Sequence, residues 1–241
     1  MALGLACAFL VNDAAEDALG LPGGSYEVPL VLRDTTLDRT GNMLYKPRSG
    51  GGFEGEIPLV NGARDPFLNV DTALYRFRVL GGSNARVFRL ALGNAAPFVL
   101  IGNDGGLLKR SVGVTRIDVA RGERVDVLVD FRAASVGDSI MLRDTRAGWD
   151  LLEFRVARQV SVPGHDPHRA VIDHGAHGAG EDEDLLVRRD EERGWKDTVL
   201  LNDRETVEVL IRFDAYRGLY LLHCHKLEHE DIRMTSNFEV V

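Results

Sequence analysis

An all-β sandwich or barrel is what this 241-residue sequence predicts, and three observations carry the prediction. Short β-rich runs recur: YEVPLVL at 26 to 32, YRFRVL at 75 to 80, VFRLAL at 87 to 92 and RVDVLVDF at 124 to 131. Turn signals separate them, among them DRTGN, RSGGG, LGGSN and GNDGG, and Gly-rich punctuation at such spacing is the mark of short antiparallel strands. The third observation is period-two alternation. In YRFRV, Tyr75, Phe77 and Val79 share one face while Arg76 and Arg78 share the other, which predicts a strand with one face in the core and one in water.

Taken in chain order, the run MALGLACAFLV has no basic segment and no convincing small-residue cleavage site, so a buried strand is expected there rather than a signal peptide. Residues 1–25 then read as a residual strand and linker, and residues 26–158 as one complete β-domain. RGERVDVLVDF (121 to 131) matches DRETVEVLIRF (203 to 213), Glu123 aligning with Glu205 and Phe131 with Phe213, and the match suggests a related second β-unit. Residues 159–189 are rich in Gly and His and then acidic, which predicts a linker loop. Residues 190–241 hold two or three strands, too few for an independent sandwich, so they read as a partial domain that needs cover from elsewhere in the chain, from a second copy or from a partner.

Composition limits function. The net charge of −8 argues against nucleic acid, which demands clustered cations, and no apolar run is long enough for a membrane-spanning helix. Cys7 and Cys224 are the only cysteines, which makes no disulfide framework and leaves the compartment open. Trp195 and Lys196 read as turn anchors, Trp149 as core, and the DGG at 104 to 106 as a tight turn rather than a phosphate loop.

The histidines carry the functional signal. All seven, His165, His168, His174, His177, His223, His225 and His229, fall after residue 164. In GLYLLHCHKLEHEDIRM (218 to 234), a strand would turn His223 and His225 to one side and Cys224 to the other, so one strand could serve two metal sites. His229 follows Cys224 by five residues and Met234 by ten, a thiolate, an imidazole and a thioether on a loop that can close on itself. That donor set suits copper; zinc is a poorer match, since its structural sites seldom use Met.

On these residues the chain resembles the multicopper oxidases of the bacterial laccase, spore-coat oxidase and bilirubin oxidase group, whose C-terminal pattern is H-C-H-x-x-x-H-x-x-x-x-M. ERGWKDTV (192 to 199) is similar to the segment before their last strands, and YEVPLVLRD, LVNG, YRFRVLGGSNARVFRLAL, IGNDGGLL and RGERVDVLVDF are similar to their middle domain. The resemblance covers residues 1 to 158 and 190 to 241. It implies cupredoxin-like Greek-key β-sandwiches, one complete and one partial, with type 1 copper on Cys224 and His229, Met234 axial, and His223 and His225 serving a type 3 pair. It implies one-electron oxidation of phenolic or aromatic amine donors, or of low-valent metal ions, coupled to reduction of dioxygen to water.

The chain also departs from that family. Its first domain, with two H-x-H pairs, has no match, and neither does its H-P-x-H-x-H-G block, which supplies the second type 1 histidine. Seven histidines fall short of the family's ligand set, so a type 2/type 3 cluster is not expected within one chain. His165/His168 and His174/His177 are H-x-x-H pairs, from which one imidazole could serve as the missing ligand. A homo-oligomer, or a complex with a partner supplying the missing domain, is therefore expected. The alternative is a copper-binding or electron-transfer protein without an oxygen-reducing cluster. Relatives of this kind are often exported, but this chain carries no address of its own.

Overall fold

The computed structural model describes residues 1, 3–161, 194–209, 211, 213 and 216–241. Two sheets pack face to face. The strands of the first are β1 (Glu27–Leu37), β2 (Met43–Leu44), β3 (Ile57–Val60), β5 (Leu74–Gly81), β7 (Phe98–Asn103), β8 (Gly106–Val114) and β10 (Arg124–Asp130). They run in the order β2-β1-β5-β10-β7-β8, with β3 also paired to β1. The second sheet runs β4 (Phe67–Asp71), β12 (Trp149–Arg158), β11 (Ser139–Asp144), β6 (Phe88–Leu92), β9 (Ile117–Val119). The four strands read from the sequence all form, and the two parallel pairs, β1 with β5 and β4 with β12, join elements far apart in the chain.

The core lies between the sheets because alternate residues face inward. Tyr75, Phe77 and Val79 are buried from one sheet against Phe88, Leu90 and Phe154 from the other. The Phe77 and Phe154 rings stand 5.2 Å apart, and Phe131 adds an edge-on contact to Tyr75 at 5.6 Å. Burying a large apolar side chain completely contributes about 1.5–3 kcal/mol, so this aromatic cluster holds the layers together.

The opposite face of β5 is not wet, contrary to the alternation argument. Arg76 is only 3% exposed. The N-terminal segment crosses it: Glu16, in the short helix α1 (Ala14–Asp17) capped by Asp13, accepts from Arg76 at 2.7 Å and also pairs with Arg78, while Asp126 on β10 accepts from Arg76 Nε at 3.0 Å. A buried guanidinium needs such partners, since an unpaired charge in this setting would be costly. Leu21 from the same segment covers a second small cluster of Leu74, Val99, Ile101 and Leu128.

Two further expectations fail, and one holds in part. The N-terminal run forms no strand: Leu5 and Phe9 are 86% and 90% exposed, and no strand among the described residues offers it a ladder. The repeat-like stretch near 203 to 209 is likewise irregular, with Val209 54% exposed, for the same lack of a partner. Trp149 is half-buried at the core's margin, where the Arg86 guanidinium lies 4.3 Å above its ring. The loop expected at 159–189, with His165, His168, His174 and His177, falls almost wholly outside the described residues.

After that segment come a hairpin of β13 (Gly218–His223) and β14 (Thr235–Val240) and the intervening short helix α2 (Leu227–Asp231). Phe213, Tyr220 and Phe238 cluster on one side of the hairpin, while Leu219 and Leu221 remain exposed. Both cysteines are free thiols, and no helix among the described residues is long and apolar enough to cross a membrane.

Replacing Phe77 with Ala removes the ring at the centre of the core and should destabilise the protein by about 3–5 kcal/mol. Urea unfolding followed by tryptophan fluorescence measures this; the exposed Arg143→Ala should change stability by no more than about 0.5 kcal/mol.

Candidate metal centre

The H-C-H motif sits where β13 ends. His223 is the last strand residue, and Cys224, His225 and Lys226 make the turn into α2. The alternation expected of the motif is present in the geometry. The His223 and His225 rings lie together, centroids 4.7 Å apart, while the Cys224 thiol faces His229, Sγ to Nδ1 being 3.8 Å.

Met234 closes the loop through its backbone. Its carbonyl accepts from the Cys224 N–H at 3.0 Å and its N–H donates to the His229 carbonyl at 2.9 Å. Arg233, just before it, adopts a left-handed φ of 79°, a conformation that costs a non-glycine residue about 1 kcal/mol and is held here by the loop's closure. The Met234 residue is 57% exposed, so the axial role expected of it stands as an expectation rather than a contact.

The sandwich grips this turn at two carbonyls, and each one selects a histidine tautomer. Nε2 of His229 is 3.1 Å from the Gly50 carbonyl, which can only accept, so neutral His229 carries its proton there and leaves Nδ1 as a lone pair beside the thiol. Nδ1 of His225 is 3.2 Å from the Arg121 carbonyl, so His225 presents Nε2 as its free donor atom. His223 has Oε1 of Glu230 3.4 Å from its Nδ1. Orientation of ligand imidazoles by such outer partners is a general property of metal sites.

Two glycines make this approach possible. A Cβ on Gly122, whose φ is +76°, would lie 2.5 Å from His225 Nδ1, and one on Gly52, φ +71°, would lie 2.7 Å from Glu228 Oε2. Glu228, beside His229, accepts from Tyr45 Oη at 3.0 Å and Asn84 Nδ2 at 2.9 Å. Partial burial opposes its ionisation, but these bonds outweigh that and lower its carboxyl below the ordinary range. The neighbouring segment is clamped as well. Lys196 pairs with buried Glu123 and lies 3.7 Å from Asp104, Arg124 bonds Asp197 at 2.7 Å, and the Gly105 N–H donates to the Trp195 carbonyl. Burial pushes the Glu123 carboxyl up, against the pull of the Lys196 ammonium. Lys196 thus anchors more than a turn, a role its motif alone did not reveal.

The fit to copper can be tested on distances. A metal bound about 2.3 Å from sulfur and about 2.0–2.1 Å from imidazole nitrogen at an angle of about 120° places those atoms about 3.7–3.8 Å apart. The Sγ to Nδ1 separation of 3.8 Å agrees with that, and the Lys226 N–H donates to Sγ at 3.4 Å. The pair therefore fits as two donors of one soft ion. Among the described residues no cluster of three His, Cys, Asp or Glu side chains forms, so a third strong donor must come from elsewhere.

A sequence model of the multicopper oxidases matches residues 164–241. The chain is 28% identical to a laccase of Bacillus subtilis over 343 aligned positions, which take in 98% of this chain and 67% of the laccase. The McoA multicopper oxidase of Aquifex aeolicus has a solved structure that superimposes with a TM-score of 0.78 at 29% identity, over 95% of this chain and 70% of that one. The chain is thus similar to multicopper oxidases over nearly its whole length and matches their family model over its last third.

Its sandwich is accordingly a cupredoxin-like Greek-key domain, followed by part of a second. The chain spans about two thirds of the laccase's length. A second group of relatives separates fold from activity. The cell division protein FtsP of Dickeya dadantii is 41% identical over 129 residues, 53% of this chain and 27% of that protein. Similarity to the multicopper oxidases implies copper, and leaves the particular activity to be argued from the site.

Gly122→Ala should displace the His225 ring while leaving the fold intact, and so lower copper retention by the His223/His225 pair. The expected outcome is shifted His225 ring resonances in the metal-free protein and less copper per chain than in the wild type. Unchanged resonances would remove the Arg121–Gly122 turn from the site.

Proposed function

We propose that this chain carries laccase-like chemistry: one-electron oxidation of phenolic or aromatic amine donors, coupled to reduction of dioxygen to water. The observation that supports it is the two-sided H-C-H turn. Cys224 faces His229 on one side while His223 and His225, its two neighbours in the chain, stand together on the other.

Copper, when bound, supplies one-electron redox chemistry and binding of dioxygen. The chain's own part is to hold donors and fix their tautomers. The Gly50 carbonyl aims Nδ1 of His229 toward the thiol, and the Arg121 carbonyl frees Nε2 of His225. The backbone joins Cys224 to both flanking imidazoles through a few covalent bonds, a short route for electrons leaving the thiol. Dioxygen accepts four electrons and four protons to give two waters, so each turnover consumes four donor molecules, each losing one electron and a proton.

In this reading residues 26–158 form the middle domain, and residues 190–241 are part of a second whose missing donors are supplied from outside the described residues. His165, His168, His174 and His177 are the candidates within the chain; a second copy or a domain-supplying partner is the other source. Exposed Leu219, Leu221 and Leu222 on β13 support such association, because an uncovered apolar strand favours pairing. The second reading, a copper-binding or electron-transfer protein without oxygen reduction, is favoured by the ligand count, two donors at Cys224 and two at the histidine pair.

Oxygen consumption by the copper-loaded protein with 2,6-dimethoxyphenol decides between them. The oxidase reading expects consumption that falls at least about 100-fold in His223→Ala/His225→Ala, a double change that removes the pair on the oxygen side. A copper-loaded wild type that accepts electrons from a reductant once but consumes no oxygen would leave the electron-transfer reading.

A further inference from the structure

Next to the H-C-H turn, between the sandwich and the residues after 199, lies a cavity of about 460 Å³. Its charge runs against that of the whole protein. Arg86, Arg121, Arg146 and Lys226 line it, opposed only by Glu54 and Asp203, in a chain whose net charge is −8.

The cations are not neutralised alike. Arg86 is braced, its Nε 2.7 Å from buried Asp34 and its guanidinium over the Trp149 ring. Arg121 donates from Nη1 to the Ala85 carbonyl at 3.2 Å, while its Nε is buried with no hydrogen-bond partner among the described residues. Arg146 and Lys226 make no ion pair among those residues. Asp203 faces solvent and lies 3.7 Å from Arg204, so it does little to cancel them. An anion entering the cavity would meet two cations, Arg146 and Lys226, that make no ion pair among the described residues.

The remaining wall is mixed: Ala85, Val87, Leu200 and Leu201 supply apolar surface beside the Asn202 amide. A bare oxyanion needs no such surface, and the volume is that of a small-molecule site. We propose that this cavity binds a small aromatic carboxylate, the carboxylate among Arg121, Arg146 and Lys226 and the ring against the leucines. Lys226 ties the cavity to the metal centre, since its backbone N–H meets the Cys224 sulfur at 3.4 Å, and the Arg121 carbonyl holds His225. On the oxidase reading, on which this assignment of substrate class rests, the occupant is a phenolic acid as electron donor; the site itself needs no redox step.

Isothermal titration of the metal-free full chain with benzoate tests the assignment. Benzoate has no oxidisable hydroxyl, so the result stands or falls apart from any oxidase activity. The expected outcome is saturable binding, weakened by added salt, absent for benzyl alcohol, and at least about tenfold weaker in Arg146→Glu and in Lys226→Gln. Far-ultraviolet circular dichroism and urea midpoints confirm that both variants fold. No saturable binding by wild type, undiminished binding by both variants, or binding of inorganic phosphate without benzoate would each overturn it.

Discussion

Two backbone carbonyls of the sandwich, those of Gly50 and Arg121, hold the histidines of the C-terminal turn, and the candidate metal centre depends on that grip. A carbonyl can only accept, so each contact fixes at once the place of an imidazole and the nitrogen it offers. The two chosen nitrogens differ: Nδ1 on His229, which is thereby turned toward sulfur, and Nε2 on His225. A short loop with a left-handed Arg233 would not hold such an arrangement alone. Met234 closes it from within, and the sandwich closes it from outside.

That dependence explains why the sandwich is more complete than the segment it supports. Its two sheets enclose an aromatic core, and even the outer face of β5 is covered, by Glu16 and Leu21. The hairpin of β13 and β14, by contrast, packs Phe213, Tyr220 and Phe238 on one side and leaves leucines in water on the other. The alignment with the Bacillus laccase reflects the same imbalance. It runs over 343 positions with 98% of a 241-residue chain, so about 100 positions of the aligned span have no counterpart here.

Much of this was legible in the sequence, and the failures have physical causes. Alternation placed Tyr75, Phe77 and Val79 in the core, since one buried face imposes a period of two. It also put His223 and His225 on the side away from Cys224. It misjudged Arg76, because a pattern of alternation says which residues share a face but not what covers that face; Glu16 lies sixty residues away in the chain. It overestimated the N-terminal run and the stretch near 207, where apolar alternation exists without a neighbouring strand to pair with. The gripping carbonyls and the clamp of Lys196 with Glu123 could not be read at all. Backbone groups carry no sequence signal, apart from the glycines, Gly52 and Gly122, that let the turn approach. The cationic cavity escaped for a related reason, as its four charges come from four separate segments.

The central claim is that Cys224 and His229 are donors to one copper ion. Visible absorption of the protein after reconstitution with Cu(II) tests it most directly, because an intense blue band arises from charge transfer between a thiolate and copper. The account predicts the band in the wild type, its loss in Cys224→Ser, and a changed position or intensity in His229→Ala. A protein that binds copper without the band, or a band that survives Cys224→Ser, would contradict it.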